Sequence, residues 1–527
     1  MIAREAPPWR GPARVAHPTD EGDTASVTET AYACLERDFA RIAVLEDAAG
    51  ILGWDARTTM PLGSADGRAE QLAALRGLVH ETVTAERLAE RLDAAEAERE
   101  TLDPWQVANL REMRRTRIHA AAVPRDLVIA RAKATARAEI VWREARRTSD
   151  FALLRPHLEE VLGLQRAIGQ AKGAALGIPA YDALLDQYDP GLRQSRVDAL
   201  FGPLRRILPD LIAQAQERQG RSAPPRPIEG AFPVEAQRAL AETLMRAAGF
   251  DFTRGRLDVS LHPFCGGATG DVRITTRYDG TDFTRALMGV LHETGHALYE
   301  QGRPAAWQRQ PVGRARGMTL HESQSLLIEM QACRSREFLG FLSPLIGRQF
   351  GREDPAWSPE NLFRLYTRVA PGPIRVDADE VTYPAHILLR YDLERAMIAG
   401  DLAVADLPGA FKAGMKALLG LTVTDDADGC LQDIHWPSGG WGYFPTYTLG
   451  AVTAAQLFAA ACEADAEIRP GLARGDFAPL VGWLRAHVHA AGSSRETDEI
   501  VTAATGRPAD LDAFLAHLRR RYLGADA

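Results

Sequence analysis

The sequence predicts a mainly α-helical protein that carries one small β-sheet. Three observations lead there. Helical runs rich in Ala, Leu, Glu and Arg continue almost unbroken from Arg68 to Gly177. Only the segment between Arg256 and Tyr278 shows strand-like alternation. The chain, at 527 residues, is long enough for two to four ordinary domains or for one large helical body around a cleft. No fixed-period repeat is present, which argues against a solenoid.

The elements follow in order. Residues 1–27 are rich in Pro, Gly, Ala and charge, lack periodicity, and read as a disordered extension. From Tyr32 the apolar residues Leu35, Phe39, Ile42, Leu45, Ile51 and Leu52 recur at helical spacing up to Trp54. DARTTMPLGSADG then reads as a loop, and Pro124 and Pro179 mark later helix boundaries. RLDVSLH (256–262) and DVRITTRY (271–278) read as two short strands joined by the Gly-rich HPFCGGATG. Asp282 is a plausible N-cap for the helix that follows, and Gly302 with Pro304 ends it. MTLHESQSLLIEMQ, from Met318, reads as the next helix. The remainder is helical except for a Gly- and aromatic-rich stretch at 429–450, after which LGAVTAAQLFAAAC reads as a buried Ala-rich helix.

Bulk properties exclude several functions. The formal net charge is -8 and no long basic run occurs, so neither nucleic acid nor an anionic membrane is an expected partner. No window of 18 consecutive apolar residues and no apolar leader region appears. The five cysteines are odd in number, widely spaced and lack a CxxC, which argues against disulfides and a thiolate metal site and suits the cytoplasm.

The chemistry concentrates in LHETGHALYE (291–300). Residues four apart on an α-helix differ by about 40° around the axis, so His292 and His296 project from one face, one turn apart. Both imidazoles then reach a single ion at about 2.0–2.1 Å. Glu293 lies beside that face, able to reach a water without being a ligand. The bland alternative is a packed or solvated helix face. Glu322, 26 residues after His296, supplies a third ligand and completes a two-His, one-carboxylate set with an open position. His321 and Glu329 are rivals. His321 faces about 100° away from Glu322; Glu329 reads better as a salt-bridge or supporting partner.

At these residues the sequence resembles the carboxypeptidase Taq family of zinc metallocarboxypeptidases. Six motifs stand in family order: HPF (262–264), DVRIT (271–275), HETGH (292–296), HESQ (321–324), IRVDAD (374–379) and GCLQDIHW (429–436). The resemblance implies a helical body over residues 28–527 with a deep central cleft, the small sheet at the cleft wall beside the motif helix, and a homodimer. It implies Zn2+, with Co2+ as a substitute, held by His292, His296 and Glu322, with Glu293 as the catalytic glutamate. The implied reaction releases single amino acids from peptides with a free C-terminal carboxylate, with broad tolerance and poor release of proline.

A carboxypeptidase needs a cation for that carboxylate, and Arg375 is the expected one. A structural pair with Asp377, Asp379 or Glu380 is the alternative, and a brace from Asp379 stays open in the substrate role. His435 is a possible donor to the substrate or an ordinary core histidine. Tyr447 is expected to donate to the oxyanion, with Tyr443 an equal rival and simple packing open for both. Gln432 is a substrate amide partner or a buried hydrogen-bonder. His262 and Arg273 flank the sheet, along whose edge a peptide could add as a strand; an Arg273–Asp271 brace is the alternative. Cys265 and Cys430 are expected to carry no chemistry. Two other functions stay open: a dipeptidyl carboxypeptidase or oligopeptidase on a related cleft, and a non-catalytic peptide-binding protein.

Overall fold

The computed structural model describes residues 29–524. The expected disordered extension, and residues 28 and 525–527 of the expected helical body, therefore lie outside the described residues. Among the described residues, 20 α-helices and one three-stranded sheet form the regular framework, which is the mainly α fold class the sequence predicts. No helix among them is long and apolar enough to cross a membrane.

Two large apolar cores share one helix. Pro445–Ala464 buries Leu449, Val452 and Ala455 in a core with Phe201, Leu204, Leu388 and Tyr391. Its other face buries Ala454, Leu457, Phe458 and Ala461 with Leu287, Leu291, Leu327 and Phe338. The alanines expected to line a buried helix do so because small residues let neighbours approach from both sides. A third, smaller core joins Leu35 and Phe39 of the first helix, Ala31–Thr58, to Leu88, Leu92, Leu110 and Met113.

Three local differences from the sequence expectation have simple causes. The first helix runs past Trp54 to Thr58, because nothing in Asp-Ala-Arg breaks it before Pro61, and the next helix resumes at Ala65. The Gly-rich segment expected to be only a connection contains a strand. The sheet is therefore β1 (Gly255–Val259), β2 (Cys265–Ala268) and β3 (Asp271–Thr276), in the order β1-β3-β2. β1 pairs with β3 in parallel and β2 pairs with it antiparallel. Glycines weaken a strand by propensity, but Gly267 lies so close to the first helix that a Cβ on Gly50 would sit 2.3 Å from its carbonyl oxygen. The irregular stretch at 429–450 ends early, at Phe444, since Pro445 takes the first turn of a helix.

The sheet stands at the wall of a cavity of about 510 Å³. Residues 265–268 of β2, Ala43, Glu46 and Asp47 of the first helix, Glu300 near the end of the motif helix, and Met318 with His321 on the next helix all line it. The first helix is tied to the sheet by Trp54, whose indole N–H donates to Asp258 at 3.2 Å and whose ring meets Phe264 at 4.9 Å.

Candidate metal centre

The motif helix spans Thr284–Gly302. It starts two residues after the expected cap, and Asp282 still holds its first turn, accepting from the Thr284 N–H at 2.8 Å. The next helix spans Gly317–Leu326 and widens into π-type turns over Leu327–Cys333. A Cβ on Gly295 would lie 2.4 Å from the Gln324 carbonyl oxygen, so the two helices touch backbone to backbone. A Cβ on Gly450 would lie 2.8 Å from Cβ and Cγ of Glu322. Glu322 is thus pressed against the helix of Gly450, while Gly295 lets the motif helix meet the backbone at Gln324 and Ser325.

That packing brings His292, His296 and Glu322 together, with one ligating atom of each within 4.8 Å of the others. His292 Nε2 lies 3.8 Å from Glu322 Oε1, and His296 Nε2 lies 3.4 Å from Oε2. Tetrahedral ligands at bond lengths of about 2.0–2.1 Å stand ~3.3 Å apart, so this donor set fits a divalent ion with little adjustment.

The outer nitrogens are held in the orientation that frees Nε2. His292 Nδ1 meets Glu329 Oε2 at 3.0 Å, and Glu329 pairs with Arg334 at 2.5 Å. His296 Nδ1 meets the His321 carbonyl at 3.0 Å and the His321 ring at 2.7 Å. His321 is braced in turn by Glu300 at 3.0 Å, which pairs with Arg303 at 2.9 Å. Each ligand histidine therefore ends in a carboxylate–arginine pair, which fixes the ring and raises its basicity. Glu329 and His321 are supports rather than ligands in this arrangement.

Glu293 is buried beside the cage. Burial pushes its carboxyl up to about 7, with Glu322 adding to the rise and His292 opposing it. Burial works against a proton on His292, yet Glu322 and Glu329 outweigh it and carry that ring up to about 10. Burial leaves His296 down at about 4.

The remaining predicted residues fall into two groups. Arg375, His435 and Tyr443 gather around Tyr447. The Arg375 guanidinium lies 5.3 Å from the Tyr447 ring centre, His435 Nε2 is 3.4 Å from the Tyr447 hydroxyl, and Tyr443 meets Tyr447 edge-on at 5.2 Å. Burial raises both phenols, and the charge of Glu322 adds to the rise, so both remain protonated donors. Tyr447 stands one turn before Gly450 on the helix that touches Glu322.

His262 and Arg273 do not join that group, and Gln432 meets it only through the Arg375 backbone. His262 is exposed on the connection between β1 and β2. Arg273 is taken by Asp271, Nε meeting both carboxylate oxygens at 3.0 Å. The first helix approaches β2 at Gly267, and just beyond the strand the Thr269 N–H donates to Asp47 at 2.8 Å. The Gln432 amide is spent on backbone: its oxygen accepts from the Arg375 N–H at 2.8 Å, and its nitrogen donates to Pro373, Asp428 and Gly429. The expected partners of Arg375 are also replaced. Asp379 caps Val381 and Thr382, Asp377 reaches Arg285, and Glu380 binds His517, Arg521 and Tyr522. Arg375 pairs with Asp433 and Tyr383. Asp433 stood inside a recognised motif; nothing in the sequence marked Tyr383 or Arg390. Burial lifts the thiols of Cys265 and Cys430 above the ordinary range, which leaves them inert.

A two-His, one-Glu cage with a buried glutamate beside it, inside a helical body, defines a metal-dependent hydrolase. Residues 34–522 match the carboxypeptidase Taq (M32) metallopeptidase family, and the chain belongs to that family. It is 39% identical over 507 residues to thermostable carboxypeptidase 1 of Thermus thermophilus, covering 94% of this chain and 98% of that protein. Carboxypeptidase 1 of Bacillus subtilis is 33% identical, covering 92% and 96%. The solved structure of Trypanosoma cruzi metallocarboxypeptidase 1 superposes with a TM-score of 0.91 at 40% identity, covering 93% of this chain and 99% of that one. The protein is a metal-dependent carboxypeptidase that acts on peptides.

Proposed function

We propose that the protein uses Zn2+, replaceable by Co2+, to release single amino acids in sequence from free peptide C-termini, with broad tolerance and poor release of proline. The observation that carries this reading is Glu293, buried against a three-ligand cage whose outer nitrogens are already braced. The chemistry a divalent ion supplies at such a cage is Lewis acidity toward water and the scissile carbonyl.

The chain's own residues do the rest. Glu293 takes the proton of the attacking water and hands it to the leaving amine, one carboxyl serving both transfers. Tyr447 donates to the developing oxyanion, with His435 against its hydroxyl at 3.4 Å. Tyr443 is the competing donor. Arg375 grips the terminal carboxylate and so sets the one-residue step. The reading includes a homodimer, as the family resemblance implies, and a cytoplasmic location, as the number and spacing of the cysteines suggest.

The test is amino-acid release from a free-acid peptide and its C-terminal amide, each with and without a chelator. Stepwise release of single residues from the acid alone, lost on chelation and restored by zinc or cobalt, is expected. Rapid cleavage of the amide would remove the carboxylate anchor; release of dipeptides would establish the dipeptidyl alternative.

A further inference from the structure

Arg375 does not act as a lone cation. Asp433 Oδ1 accepts from its Nε at 2.9 Å and from its Nη2 at 2.7 Å, and the Tyr383 hydroxyl lies 2.8 Å from Nη1. A guanidinium carries five N–H groups. Three are engaged here, which leaves one on each terminal nitrogen for an arriving carboxylate. The other oxygen of Asp433 accepts from Arg390 Nε at 2.6 Å. Arg390 faces neither solvent nor cleft: it is 1% exposed, donates to the His386 carbonyl at 2.9 Å, and lies over the Phe411 and Phe444 rings.

The charges of this buried row decide what it can bind. Arg375 and Asp433 alone sum to zero, and the repulsion from Asp433 would offset part of the attraction that Arg375 exerts on an arriving carboxylate. With Arg390 the row carries one net positive charge. The second arginine also holds the far oxygen of Asp433, so the near oxygen presents Arg375 at a fixed angle.

We propose that Arg390 is a positioning residue for substrate binding: through Asp433 it aims Arg375 and keeps the anchor cationic toward the peptide's terminal carboxylate. This rests on the reading of Arg375 as the anchor.

The experiment measures KM and kcat on an N-acylated dipeptide for the metal-loaded wild type and for R390Q, R390K and the double variant R390Q/D433N, with melting temperature and metal content as controls. Wild type is first compared on the free acid and its amide. If it shows no preference for the acid, Arg375 is not the anchor, a failure of the underlying reading that is seen before any variant is made. With that preference present, R390Q is expected to raise KM by about tenfold to a hundredfold with kcat little changed. R390K restores the charge and most of the binding. The double variant removes the uncompensated carboxylate, leaves Arg375 cationic beside a neutral amide, and recovers KM to within about tenfold of wild type. A purely structural role predicts the opposite order, with the double variant no better than R390Q. That result, or an unchanged KM in R390Q, overturns the proposal. If R390Q does not fold, the double variant and R390K decide alone: a KM near wild type in both supports the proposal, and a KM raised more than about a hundredfold in either overturns it.

Discussion

The metal cage and the Arg375 row are neighbours built by opposite means. His292 and His296 come from one helix, and the third ligand comes from the helix packed directly on it. Arg375 sits in a single 3-10 turn, Arg375–Asp377, and is held by Asp433, 58 residues further along the chain. Helix geometry alone aligns the first pair. The second is aligned only when distant loops have packed and buried charges have found each other. The lesson is that a rigid element can carry chemistry in a short motif, whereas a loop-borne group needs an ion network to hold it still.

Four changes sharpen or break that contrast. The largest effect is expected from Glu293→Gln, which lowers kcat by about 10²–10⁴-fold while leaving bound metal in place, checked by single-turnover kinetics and metal analysis. A matching rise in KM would show that the two regions do not divide chemistry from binding. Arg375→Met comes next. Removing one partner of a buried charge pair costs about 2–5 kcal/mol, so KM for free-acid peptides should climb at least ~30-fold with metal content intact. Were kcat to carry the loss instead, the arginine would belong to the reaction and not to the anchor.

Glu329→Gln tests the support behind a ligand. Metal affinity, read by competition with a calibrated chelator, should weaken by about 10–100-fold. The smallest effect is expected from Gln432→Ala. Its backbone bonds to 373, 375, 428 and 429 vanish, so thermal unfolding should show a loss of about 1–3 kcal/mol with kcat nearly unchanged. A large kcat loss there would return Gln432 to the substrate.

The contrast also explains what could be read in the sequence. The helical body, the Ala-rich buried helix, the motif helix and its third ligand follow from periodicity and spacing, because the forces that set them act within a few turns. β2 was hidden because Cys-Gly-Gly-Ala has the composition of a connection, and only contact with the first helix explains its glycines. The partner of Arg375 was misread for a related reason. Asp377, Asp379 and Glu380 are near in sequence, yet each is committed elsewhere, and the true partner depends on long-range burial. Gln432 and Arg273 sit in recognised motifs and still serve as braces, so motif membership marks the neighbourhood of a site and leaves the task of each residue open.

Glycines 295 and 450 give the cage its dimensions without offering it a single ligand atom. A methyl group on Gly450 would collide with the carbon that bears the Glu322 carboxylate, and one on Gly295 would collide with the backbone of Gln324 and Ser325 on the same helix as Glu322. The bite of the site is therefore written in two absent side chains. Selection for metal loading would have to guard these hydrogens as closely as the imidazoles, and drift toward alanine at either position would act as a ligand mutation in all but name.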